Sequence, residues 1–183
     1  MNTSYCHWSA CKGADSSKQH VKLDFARKEL LYDIQNYAYI EGHVLGEENL
    51  KVQQTIYDIV EVGNLDRVNR KLNLVYASVV EMLYPYTKDE VCDGEEVHNV
   101  LDEPENYVIP LVLPRSYSRT TVQLLSRLIH EYMVYSVLQD WLSIANPKAS
   151  ENWLAKKQEA EKEIQRIKHQ RCSDFVRKSS RPW

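Results

Sequence analysis

Apolar residues recur at helical spacing in five stretches of the chain. Leu23, Leu30, Leu31, Ile34, Tyr37 and Ala38 predict a first helix over 21–41, closed by Gly42 and Gly46. Leu50, Val52, Ile56, Ile59 and Val60 predict a second over 47–62, with Gly63 as its stop. Asn64 suits the N-cap of a third, which carries Leu65, Val68, Leu72, Val75, Tyr76, Val79 and Leu83 before Pro85. The fourth, from Ser118 to Ala145, is apolar almost all the way round. Asn146-Pro147 then breaks the chain, and Pro147 suits the first turn of a fifth helix running to Arg171. That helix has only a thin stripe: Trp153, Lys157, Ala160, Ile164, Ile167 and Arg171 follow coiled-coil spacing between dense charges.

The last two helices are mismatched. The fourth needs cover on several sides, and the fifth offers little to cover it with, so other helices or a neighbouring subunit must supply the rest. Residues 85–105 read as a long solvated loop. YVIPLVLP, residues 107–114, is β-prone, but Pro110 confines it to a sheet edge or an isolated extended arm. The expected fold is therefore all-α, a bundle of about five helices with a long C-terminal helical hairpin and one extended arm. Residues 1–20 form an N-terminal arm and 172–183 a basic tail. The helical domain spans 21–171, with the acidic loop and extended arm at 85–117 inserted.

Charge adds segregation to this picture. The net charge is only -3, yet eight acidic and no basic residues lie between Asp89 and Glu105. From Lys148 to Trp183 there are ten basic and five acidic residues, which leaves a strongly acidic remainder. Such asymmetry points to charged partners. The tail's Arg177, Lys178 and Arg181, with Arg166 and Lys168 before it, make a basic patch that allows three readings: nucleic-acid phosphates, an acidic protein surface such as the 89–105 loop of an adjacent copy, or plain solvation. Trp183 ends that tail. Twelve tyrosines and four tryptophans supply core-edge residues, some suited to anchor an interface. Trp141 and Trp153 flank the Asn-Pro break and are expected to pack together.

Little in the chain suggests chemistry. His130-Glu131 opens a zinc-protease pattern, but position 134 is Val134, so the second ligand is missing. An intrahelical or interhelical hydrogen bond at the polar edge of a buried helix is the expected role of His130 and Glu131. Cys6, His7, Cys11 and His20 are too loosely spaced for a strong zinc signal. No phosphate-cradling glycine motif or nucleophile elbow occurs. The expectation is no enzyme, no metal and no cofactor. The sparse cysteines read as reduced thiols in a cytosolic setting. Neither a signal peptide nor a membrane span is expected.

The string HEYMVYSVLQDWLSIANPKASENWLAKKQEAEKEI resembles the C-terminal helical hairpin of tailed-phage head-to-tail connector or adaptor proteins, especially those of crAss-like phages and prophages of Bacteroidales. NLDRVNRKLNLVYASVVEMLYPYTK and the YVIPLVLP arm fit the same plan, over roughly residues 24–170. The resemblance implies a virion structural protein in a closed ring of about twelve copies with head-to-tail contacts. Its partners would be other copies of itself, the portal above and tail proteins below, with packaged DNA passing through and no membrane involved. The expected contact residues are Tyr107, Val108, Ile109, Leu111 and Val112, adding to a neighbour's strand, with Trp153, Arg171, Arg177, Lys178, Arg181 and Trp183. The alternative is a nucleic-acid-binding helical regulator using the basic C-terminal helix and tail.

Overall fold

The computed structural model describes residues 18–44, 50–89, 103–115 and 117–169. The chain runs β1 (Lys18–Ala26), α1 (Arg27–Val44), α2 (Leu50–Tyr57), a 3-10 turn (Asp58–Val60) and α3 (Val62–Met82). It continues through β2 (Asn106–Pro114), α4 (Arg119–Ala145) and α5 (Pro147–His169). The fold is mostly helical, five α-helices with one two-stranded antiparallel sheet.

That sheet corrects the all-α expectation. Residues 21–26 are strand, not the first turn of a helix, and YVIPLVLP finds its partner within the chain: Lys18 faces Pro114, and Ala26 faces Asn106. The physical reason is a period-two pattern. Val21, Leu23 and Phe25 turn inward while Lys18, His20, Lys22 and Asp24 stay exposed. Opposite them, Tyr107, Ile109, Leu111 and Leu113 are buried. Both inner rows join the same core as the helices. Pro110 costs the ladder nothing. Arg27 N–H donates to Glu105 O at 3.0 Å across the pair flanking the ladder, so odd-numbered residues make its bonds. Pro110, opposite Lys22, falls in a non-bonded pair and its missing N–H would have faced outward.

α4 is the centre, as its all-round apolar pattern predicts. Its Ser118 N-cap accepts from Thr121 N–H at 3.1 Å. Around it, His130 reaches Asp33 on α1 at 2.7 Å, and Trp141 Nε1–H donates to Thr55 O of α2 at 3.1 Å. Asp140 takes Arg67 and Lys71 from α3 at 3.2 and 3.1 Å. α5 starts at Pro147 as expected and packs along α4. Ser150 Oγ–H donates to Gln139 O near the turn, and Tyr117 O–H donates to Lys168 O at the far end. The thin stripe of α5 is buried at Trp153, Ala160, Ile164 and Ile167.

Three local expectations change. α1 passes through Gly42, which is needed because a Cβ there would overlap the Tyr57 ring. α3 starts at Val62 after Glu61, and Asn64 instead donates its side-chain N–H to Asp58 O at 2.9 Å. Trp141 and Trp153 find different partners: the Arg67 guanidinium lies over Trp141, while Trp153 packs on Tyr37 and Tyr135.

The Asp140 cluster gives a pH prediction. Burial alone would raise this carboxyl, but Lys71 and Arg67 hold it below its ordinary value. A depressed carboxyl stabilises the fold above its unfolded pKa, and that stabilisation disappears as pH falls through the lower folded value. Asp140 is partly exposed, so Asp140→Asn should cost no more than about 1 kcal/mol at pH 7. Urea titrations should find this difference shrinking as pH falls below the ordinary aspartate value of about 4.

Candidate interaction surface

The residues expected to meet a partner divide sharply. Tyr107, Ile109 and Leu111 are buried against the chain's own core, so the expectation that they anchor a neighbour is corrected. The Tyr107 O–H also donates to Asn73 Oδ1 at 2.6 Å. Val108 is exposed and Val112 half-buried on the outer face of the sheet. Trp153 is 2% exposed, with Nε1–H donating to Glu41 Oε1 at 3.0 Å, so it joins helices within the chain. Arg171, Arg177, Lys178, Arg181 and Trp183 lie outside the described residues, as does most of the acidic loop.

The exposed surface that stands out is the outer face of α1. One side of this helix buries Leu30, Ile34 and Ala38. The other side exposes Tyr32, Gln35, Asn36, Tyr39, Ile40, His43 and Val44. None of these exposed positions is Asp, Glu, Lys or Arg over more than three turns; Asp33, its side chain 39% exposed, lies at the flank and is paired with His130. Tyr32 is 68% exposed, Tyr39 59%, Ile40 49% and Val44 77%, together on the order of 500 Å² of side-chain surface. The outer faces of α3 and α5 differ, carrying Asp66, Arg67, Arg70 and Glu81, and Glu151, Lys156, Glu159 and Lys162. Low charge with tyrosine and aliphatic side chains is the composition of an interface core.

The stripe is held rigidly. Tyr39 stacks on Tyr57 at 5.4 Å and on His43 at 6.2 Å. Gln53 Nε2–H donates to Gly42 O and to Tyr57 Oη, both at 3.0 Å, tying α2 to the end of α1. On the opposite side, Tyr37, Tyr135 and Trp153 lock α1 to α4 and α5. Composition alone hides this surface, because Tyr32 and Tyr39 look no different in sequence from the packed Tyr37.

Between α1 and α4 runs an open cleft of about 350 Å³ whose lining includes Asp24, Glu29, Asp33, Arg127, His130 and Glu131. His130 spends one ring nitrogen on Asp33, which selects the interhelical bond of the two arrangements expected. Burial pushes the Tyr135 phenol up to about 12, with Glu131 and other neighbours adding to the rise. Among the described residues, no group of three or more His, Cys, Asp or Glu is arranged to hold a metal ion. No described helix is long and apolar enough to cross a membrane. The chain matches no known family model, no curated protein and no solved structure.

Proposed function

We propose that this protein is a structural subunit of a tailed-phage head-to-tail connector, a ring docked below the portal that lines and seals the DNA exit. The observation that carries this reading is the uncharged outer stripe of α1, an apolar surface that α2, α4 and α5 hold in shape but do not cover. A standard protein interface buries about 800 Å² per partner, and the stripe's four large side chains contribute more than half of that. The long C-terminal hairpin of α4 and α5 is the rigid spine that carries α1. Its resemblance to connector hairpins supplies the particular assembly, with head-to-tail contacts closing the ring.

The rival reading, a nucleic-acid-binding regulator, has two cations of α5 engaged within the chain. Arg166 is paired with Glu163 at 2.7 Å, and the Lys168 ammonium donates to Met82 O at 2.8 Å. Mass photometry of the purified protein, alone and with a cognate portal protein, tests the proposal. Ring-sized particles or a stoichiometric portal complex are expected. A strict monomer that docks to no portal, yet binds short duplex DNA in a salt-dependent way, would overturn it.

A further inference from the structure

The two outward rows of the sheet are not alike. An antiparallel sheet that packs one face on a core ordinarily turns polar side chains to water on the other. β1 does so with Lys18, His20, Lys22 and Asp24. β2 does not. After Asn106 its outward row is Val108, Pro110, Val112 and Pro114, without one charged or hydrogen-bonding side chain. Val108, Pro110 and Pro114 are exposed and Val112 is half-buried. The backbone of this strand is engaged: Val112 N–H donates to Tyr86 O at 2.8 Å, and Val108 O accepts from the Tyr76 hydroxyl at 2.7 Å. A neighbour therefore meets this row through side chains and not by adding a strand.

We infer that the β2 row seats the α1 stripe of a second copy of this chain, an inference that rests on the connector reading. A ring closed by head-to-tail contacts needs two unlike surfaces on each subunit that fit one another. The stripe and the row are such a pair, one a helix face and the other a strand face. If stripe met stripe, the row would stay in water. One contact of stripe on row covers both.

Their lengths agree. From Tyr32 to Val44 the helix rises about 18 Å, and from Val108 to Pro114 the strand runs about 20 Å. Their rims are of opposite sign. Glu29 and Asp33 border the stripe with one lysine, Lys28, whereas Lys18 and Lys22 stand across from Pro114 and Pro110 with one carboxylate, Asp24. Such charges set the register of a contact whose centre is apolar. The two surfaces are also fixed relative to each other. β1 runs straight into α1 at Arg27, whose N–H donates to Glu105 O at 3.0 Å beside β2. A ring repeats one rotation, and this junction keeps it constant.

Complementation between two full-length variants in sedimentation velocity tests it. Ile40→Lys/Val44→Lys blocks the stripe, and Val108→Lys/Val112→Lys blocks the row. Each alone should self-associate at least about 100-fold more weakly than the wild type. Mixed in equal amounts, they should form a dimer and stop there, since one intact stripe meets one intact row and the other two surfaces are blocked. Row-blocked protein that assembles like the wild type would overturn the inference and leave the connector reading standing. So would a mixture of the two variants, both folded by circular dichroism, that stays monomeric. A wild type that is monomeric with and without the portal would overturn both. Val108→Lys alone covers the case in which half-buried Val112 rejects lysine: Val108 is 38% exposed, and the folded single variant should also associate more weakly. Wild-type association by that variant refutes the seat on β2.

Discussion

Replacing Ile40 and Val44 on α1 with lysine should weaken self-association at least about 100-fold, because an uncompensated charge at an interface costs about 2–5 kcal/mol. Both side chains are exposed in the subunit, at 49% and 77%, so neither substitution opens a cavity. Lysine is a good helix former and suits the C-terminal turn of α1, where its charge opposes the helix dipole. The monomer's circular-dichroism melt should therefore move by no more than a few degrees. Leu74→Lys is the control. Leu74 is 60% exposed but sits on the charged outer side of α3, and its substitution should leave assembly unchanged. Sedimentation velocity over a concentration series separates the cases. If the double variant assembles like the wild type, the α1 stripe is not the contact.

How the sequence reads against the fold follows from range. α4 and α5 were legible because their signals are local. Ser118 caps one helix, Asn146-Pro147 separates the two, and the buried sets follow helical spacing. The strand at Lys18–Ala26 was not legible as a strand. Leu23 alternates with Val21 and Phe25, but it also stands seven residues before Leu30 and so fits a helix equally well. Only pairing with Tyr107–Leu113, more than eighty residues away, decides between the two. The β-prone character of YVIPLVLP and the edge constraint of Pro110 were readable; the partner strand was not.

The candidate surface was hidden for a similar reason. α1 carries apolar residues on both faces. Spacing alone cannot say that Leu30, Ile34 and Ala38 are covered while Tyr32, Ile40 and Val44 are not. That choice is made by Asp33 meeting His130 and by Tyr37 meeting Tyr135 and Trp153, contacts between segments about a hundred residues apart.

Trp153 therefore carries the second large effect. It is among the largest fully buried side chains and touches α1 and α4 at once. Its ring packs on Tyr37 at 5.2 Å and on Tyr135 at 5.4 Å, and the Lys156 ammonium sits 4.0 Å from its centre. Trp153→Ala should cost about 3–5 kcal/mol in urea unfolding, since the cavity opens at a junction of three helices that cannot all move inward. Trp153→Phe keeps most of the ring contact and loses the bond from Nε1–H to Glu41. Glu41 is half-buried and water can replace that bond, so the loss is nearer about 1 kcal/mol from the hydrogen bond, plus what the smaller ring gives up. The contrast between the two variants separates packing from hydrogen bonding. Because Trp153 fixes α1 on the hairpin, the alanine variant should also lose assembly in step with its stability. The lysine variant at Ile40 and Val44 should lose assembly alone. An alanine variant that kept wild-type stability would mean that α1 is anchored mainly through Asp33 and His130.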